Sequence, residues 1–367
     1  MKQTEEEGIK SPACGYGLMG LCCFSCLLGP CRISPFEGES AKGLCGDNVD
    51  LMVAKNLLRL VAGETAGGLK DLSEAVQNLG PLAAKQGAPK RPGKEVLKGI
   101  LEKYGFTSRV SVSRFAHYLL RESQKLLSPF SGPESPSPLL SSLYPEGAFP
   151  HVYRETILPD SLTNLIFDAL SQGEKEPPAV HVILRQCLKI SMVKLISEEL
   201  RRDIDYLTDG DPSPEMGTEV LDVVEDLPSE PLPVVVLLVR DDEFPEEFMS
   251  RATKELRQRL KGIARLIPLN TMRGLPSVGR GFFRKWSFPV NGMSAVAAVF
   301  SQSPASVLGA LVCGFSVVSS PALPIHGSEV VERFFCKDLK EKLGSAYVPP
   351  RGGEVLPAIL EFLGEKA

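Results

Sequence analysis

Six of the nine cysteines in this chain of 367 residues stand close to its start, at Cys14, Cys22, Cys23, Cys26, Cys31 and Cys45, and this crowding limits what the chain can fold around. Cys23, Cys26, Cys31 and Cys45 read C-x2-C-x4-C, followed by a fourth cysteine after thirteen intervening residues. Four thiolates on a loop that folds back on itself form the ligand set of one cubane iron–sulfur cluster, 4Fe-4S. Cys22 adjoins Cys23, and neighbouring side chains diverge, so Cys22 must look elsewhere. The remaining thiol upstream is Cys14, and two thiolates are half of what a cluster requires. Two-fold symmetry, the commonest arrangement of soluble homo-oligomers, supplies the other half from a second copy. The expectation is a homodimer joined through a further iron–sulfur cluster on its axis, held by Cys14 and Cys22 of each chain, with its 2Fe-2S or 4Fe-4S nature open.

Two plainer readings compete. A structural zinc site also uses four cysteines in C-x2-C pairs, but it leaves two of the six unexplained. A disulfide framework belongs to short secreted domains, whereas this chain is long and opens MKQTEEEGIKSPACG, which is acidic and polar rather than an apolar leader. Glycines between the cysteines let backbone amides approach cluster sulfurs, which tunes reduction potential.

A net charge of −4 gives no general attraction to nucleic acid or to anionic lipid. No run reaches the roughly eighteen uninterrupted apolar residues of a membrane span; residues 290–318 come closest and are broken by Asn291, Gln302, Ser303 and several glycines. Exposed low-potential clusters are oxygen-labile, so a reducing, cytoplasmic and anaerobic setting is expected.

Apolar residues at helical spacing predict helices over 46–63, capped by Asp47 or Asn48, and over 69–79, 94–104, 110–127, 161–172 and 180–207. The Pro/Ser-rich stretch 128–150 reads as loop, and a turn-rich stretch over 209–233 separates the helical half from a different texture. The run Pro233-Val-Val-Val-Leu-Leu-Val239 suits a buried parallel strand, with a helix over 246–260 and a strand over 263–268 after it. The alternation of helix and strand continues through 295–313, 314–319, 328–343, 346–348 and 354–365. The fold class expected is mixed α and α/β: an N-terminal helical iron–sulfur domain over residues 1–228, then a reduced Rossmann-like α/β domain over 229–367.

The text CGYGLMGLCCFSCLLGPCRISPFEGESAKGLCGDNVDLMVAKNLLRLVAG closely resembles the amino-terminal region of the anaerobic nickel–iron carbon monoxide dehydrogenases, with all six cysteines at that family's spacing. Weaker similarity follows at DIDYLTDGDPSP (residues 203–214) and returns at LPIHGSEVVERFFCKDLKEKLGSAYVPP near the end. The resemblance implies the same division of the cysteines: Cys23, Cys26, Cys31 and Cys45 for the cubane within each subunit, Cys14 and Cys22 for the bridging cluster. It also implies a shortened relative, with roughly 250 residues of a full-length member absent between the matched ends, judged by ordinary domain sizes.

The family's nickel–iron–sulfur centre is held by one histidine and several cysteines spread over two α/β domains. Here the strand that should deliver the histidine runs on into Asp241-Asp242-Glu243, and only Cys187, Cys313 and Cys336 remain. A hard carboxylate is a poor substitute for thiolate in a sulfide cluster. The family's proton-moving histidines have no counterpart in AGGLKDLSEAVQ, and no lysine occurs between Lys285 and Lys337 to serve as its catalytic lysine. No catalytic residues are therefore assigned, and nickel is not expected.

These readings point to an iron–sulfur electron-transfer protein that resembles the dimer core of a carbon monoxide dehydrogenase, with a ferredoxin or a full-length dehydrogenase subunit as redox partner. The alternatives are an oxidoreductase of that type with a reduced or partner-completed active site, and an assembly or scaffold subunit for a full-length dehydrogenase. Cys187, Cys313 and Cys336 lie in apolar contexts and read as small core hydrophobes, and His117, His151, His181 and His326 show no metal spacing. Gly279-Arg-Gly281 is a weak dinucleotide-loop signal. The loop MRGLPSVGRGFFRKW (272–286) mixes arginine with large aromatics as protein–protein anchor sites do.

Overall fold

The computed structural model describes residues 14–24, 28–34, 36, 41–85, 94–107, 109–128, 137–143, 161–171, 179–209, 234–240, 246–259, 261, 265–269, 294–301, 303–320, 322–350 and 355–364. A short helix α1 (Gly15–Leu18) and two two-residue strands, β1 (Cys22–Cys23) and β2 (Cys31–Arg32), lead into the long helix α2 (Val49–Ala83). Asn48 caps α2, its side-chain oxygen accepting from the Leu51 N–H at 3.0 Å. The two helical stretches expected over 46–63 and 69–79 are one helix of 35 residues. Leu57, Val61, Thr65, Leu69, Leu72, Val76 and Leu79 keep a single buried stripe. Burying each such leucine contributes about 1.5–3 kcal/mol, which exceeds the cost of about 1 kcal/mol for each of Gly67 and Gly68 in mid-helix.

Helices α3 (Lys94–Lys103), α4 (Val112–Leu127), α5 (Pro138–Leu143), α6 (Leu162–Ser171) and α7 (Val180–Asp209) follow. Helix α5 lies inside the Pro/Ser-rich stretch that was expected to be loop; Leu139, Leu140 and Leu143 turn one face of it into the core. Helix α7 packs along α2 with contacts advancing in the same sense: the Thr65 hydroxyl reaches the Ile190 carbonyl at 3.4 Å, and Arg201 pairs with Asp71 at 2.7 Å. The two helices therefore run in the same direction. Between α3 and α7, Lys103 Nζ lies 2.7 Å from Glu199 and 2.5 Å from Asp203, and the Tyr104 hydroxyl donates to Asp203 at 2.8 Å.

The second half holds a four-stranded, fully parallel sheet of β3 (Val234–Arg240), β4 (Arg265–Leu269), β5 (Ser294–Phe300) and β6 (Ser316–Ser320), in the order β4-β3-β5-β6. Helices α8 (Glu246–Arg259) and α9 (Pro304–Val312) lie on the β3–β4 and β5–β6 connections. Residues 295–313, expected as one helical element, divide instead into β5 and α9. Ser303 and Pro304 make the break: Ser303 caps α9 through the Ser306 N–H, and Pro304 has the fixed φ of a first helical residue. Residues 328–343 form α10 (Glu329–Arg333), a π-helical turn (Phe334–Asp338) and α11 (Leu339–Leu343); helix α12 (Val355–Gly364) closes the described chain.

Residues 305–312 of α9 are all buried, and the helix packs against both α7 and α2, so the helical bundle and the sheet share one apolar core. The expected boundary at 228/229 and the stretch 210–233 lie outside the described residues. Among the described residues no helix is long and apolar enough to cross a membrane.

Candidate metal centre

Strands β1 and β2 form an antiparallel ribbon in which Cys23 faces Cys31 and Cys22 faces Arg32. Successive side chains on a strand point to opposite faces, so the ribbon sends Cys22 and Cys23 apart, each beside its cross-strand partner. On one face Cys23 and Cys31, 3% and 8% exposed, pack with Ile33, Ala41 and Met52 in a small apolar cluster of their own. The Leu44 N–H donates to the Cys31 sulfur at 3.4 Å. Gly43 presents no side chain there; a methyl group on it would lie 3.7 Å from that sulfur. Cys45 follows at the exposed tip of the turn, which is closed by the Gly43 N–H to the Asp47 carbonyl at 2.8 Å.

Cys26 lies outside the described residues, and among those described no three His, Cys, Asp or Glu side chains come close enough to hold one metal ion. Each thiolate of a cubane binds a different iron, so its ligands stand farther apart than those of a single ion. Opposed buried thiols, an amide aimed at one sulfur and a side-chain-free wall suit such a group.

On the other face Cys14 caps α1 and is exposed, and Cys22 is half-buried beside it. No standard capping hydrogen bond closes on Cys14. Even so, the backbone amides of Gly17 and Tyr16 hold its thiol below the ordinary range, and the Arg32 charge and the Cys22 thiol act in the same sense. Arg32 reaches the Cys22 thiol, feels the field of Cys14, and stacks with its guanidinium carbon 4.9 Å from the Tyr16 ring centroid. The structure thus brings Cys14 to Cys22 on one face and Cys23 to Cys31 on the other.

The ribbon is fastened to the bundle by Asn56, whose amide donates to the Gly20 carbonyl at 2.8 Å and the Cys22 carbonyl at 2.6 Å. Its other support is the segment 324–327. Gly20 has φ +77°, and a Cβ on it would lie 2.5 Å from the Pro324 carbonyl oxygen. The Gly327 N–H donates to the Met19 carbonyl at 2.9 Å, and a Cβ on Gly327 would collide with that same oxygen. Ser328 reaches Asp50 at 2.5 Å.

The other cysteines sit elsewhere. Cys187 is fully buried in α7 and Cys313 is buried at the end of α9. Burial pushes the Cys187 thiol well up; burial and then Glu332 push Cys336, in the π-helical turn, up to about 12. His117 and His181 are exposed on separate helices, and His326 pairs with Glu332 at 3.5 Å. His151, Asp241–Glu243, the glycine pair at 279–281 and the loop 272–286 lie outside the described residues. Sequence reasoning missed Tyr16, Arg32 and Asn56. An arginine next to Cys31 was a visible signal, but its meaning depends on the β1–β2 register.

The model of the Prismane/CO dehydrogenase family matches residues 21–228, more than half of the chain. The chain belongs to the Prismane/CO dehydrogenase family. Carbon monoxide dehydrogenase 1 of Methanosarcina acetivorans is 33% identical over 122 residues, which are 31% of this chain and 19% of that protein. The carbon monoxide dehydrogenase of Methanocaldococcus jannaschii is 30% identical over 162 residues, 44% of this chain and 25% of that one. That of Rhodospirillum rubrum is 53% identical over 58 residues, 16% of this chain and 9% of its own. Among solved structures, carbon monoxide dehydrogenase IV from Carboxydothermus hydrogenoformans superposes on 97% of this chain and 56% of its own, at 18% identity and a TM-score of 0.46. A nickel-free dehydrogenase from Thermococcus sp. AM4 gives 96%, 61%, 18% and 0.48 respectively. This family member therefore spans little more than half the length of the solved dehydrogenases it superposes on.

Proposed function

We propose that the chain is an iron–sulfur electron-transfer protein, working as a dimer and built like the core of a carbon monoxide dehydrogenase without its nickel site. The observation that carries this reading is the β1–β2 register, which turns Cys22 and Cys23 to opposite faces. Cys23, Cys26, Cys31 and Cys45 would hold a 4Fe-4S cluster within each chain; Cys14 and Cys22, with their counterparts in a second copy, would hold a shared one. When bound, such clusters supply one-electron transfer at potentials set by charge, hydrogen bonds and exposure. The Leu44 N–H puts partial positive charge on the Cys31 sulfur and so favours the reduced state. Leu18, Phe24, Leu28, Phe36 and Leu44 stand exposed around the cysteines, which suits a face covered by another copy. Cys187 and Cys336 are held as protonated thiols by burial, which makes them poor candidates for a further metal site. A cytoplasmic protein that hands electrons to a ferredoxin or to a full-length dehydrogenase subunit fits this equipment.

Anaerobic metal analysis tests the reading. About six iron per chain, one cubane plus half of a shared one, and no nickel are expected. Stoichiometric nickel with carbon monoxide-dependent dye reduction would replace it with a dehydrogenase whose site is completed by a partner. The Cys14→Ser and Cys22→Ser variants are expected to weaken dimerisation, read by sedimentation, while keeping about four iron per chain.

A further inference from the structure

The Cys14/Cys22 face carries one fixed positive charge. Arg32 stands opposite Cys22 across the ribbon, and directly opposed residues of an antiparallel pair share a face. Its guanidinium lies over the Tyr16 ring at 4.9 Å, within the roughly 6 Å range at which an aromatic face holds a cation. Tyr16 in turn belongs to α1, the helix that Cys14 caps. The stack therefore fixes the charge relative to both thiols, and arginine does not give up its proton in a protein.

We propose that Arg32 is a positioning residue for the Cys14/Cys22 pair: it gathers the two thiolates of one chain and, with its twin, sets the reduction potential of the shared cluster. The inference rests on the reading that these cysteines supply half of such a cluster. Across a two-fold axis, four thiolates bring four negative charges and two Arg32 side chains return two positive ones. Covering this exposed face with a second chain lowers the local dielectric and strengthens the attraction. A one-electron reduction adds a further negative charge at the axis, so Arg32 favours the reduced state more than the oxidised one.

The test is a dithionite titration of the reconstituted full-length protein, followed by electron paramagnetic resonance, in the unsubstituted protein and in Arg32→Gln and Arg32→Lys. The expected result in Arg32→Gln is that one cluster signal moves to lower potential, by about tenfold in its reduced-to-oxidised ratio, or about 59 mV for a one-electron couple. The other signal stays put, and Arg32→Lys moves less. Loss of the shared cluster in Arg32→Gln with retention in Arg32→Lys also supports the role, because charge is what separates the two variants. Two signals that both stay fixed in Arg32→Gln overturn the role of Arg32 alone, as does equal loss of iron in both variants. A single cluster signal in the unsubstituted protein removes the shared-cluster reading and the role together.

Discussion

The cysteine ribbon and the α2–α7 bundle are both rich in apolar residues, and they use them in opposite directions. In the bundle Leu57, Val61, Leu72, Leu79, Ile190, Ile196 and Leu200 are wholly buried. Around the ribbon Phe24, Leu28, Phe36 and Leu44 are 73%, 64%, 93% and 70% exposed. A bundle closes on itself because its stripes repeat at the helical period and find one another. The ribbon has too few residues to close on anything; its core is the small cluster around Cys23 and Cys31, and its outer apolar side chains stay exposed. Hydrophobicity alone therefore says little about where a segment is satisfied; the spacing of its apolar residues says more.

If the bundle is self-sufficient and the ribbon is not, substitutions should separate them. The largest loss is expected from Lys103→Met, which removes the ammonium shared by buried Glu199 and Asp203, with Arg202 still 3.4 Å from Asp203: about 3–5 kcal/mol of unfolding free energy in urea. Leu72→Ala should cost about 3 kcal/mol by the same measurement, with iron per chain unchanged, and a fall in iron would break the contrast between the two regions. Asn56→Ala removes both side-chain hydrogen bonds to the ribbon and should cost about 2 kcal/mol. Its signature is faster loss of iron to a chelator rather than loss of helical circular dichroism. His326→Gln gives up a half-exposed pair with Glu332 and should stay within about 0.5 kcal/mol, which sets the floor of the scale.

What could be read from the chain in advance was whatever short-range chemistry dictates. The divergence of Cys22 and Cys23 was legible from their adjacency, and the β1–β2 ribbon sends those two apart. The bundle helices followed from periodicity, except where one stripe ran through Gly67-Gly68. Residues 295–313 divide at Ser303-Pro304, a division that sequence pattern obscures because the apolar runs on either side each suit a buried strand and a buried helix equally. The rest depended on contacts far apart in sequence. Arg32 gains its meaning from a strand register, and Lys103 from carboxylates on another helix.

The hold of Pro324 and Gly327 on the Met19–Gly20 turn has a consequence for the order of events in the cell. The Ser328–Asp50 hydrogen bond beside it joins residues 278 positions apart, so translation delivers the thiols long before it delivers their backing. A nascent chain would carry its cysteine segment on the Asn56 hydrogen bonds alone until residues 324–328 had been made, and firm seating of that segment would report that they had arrived.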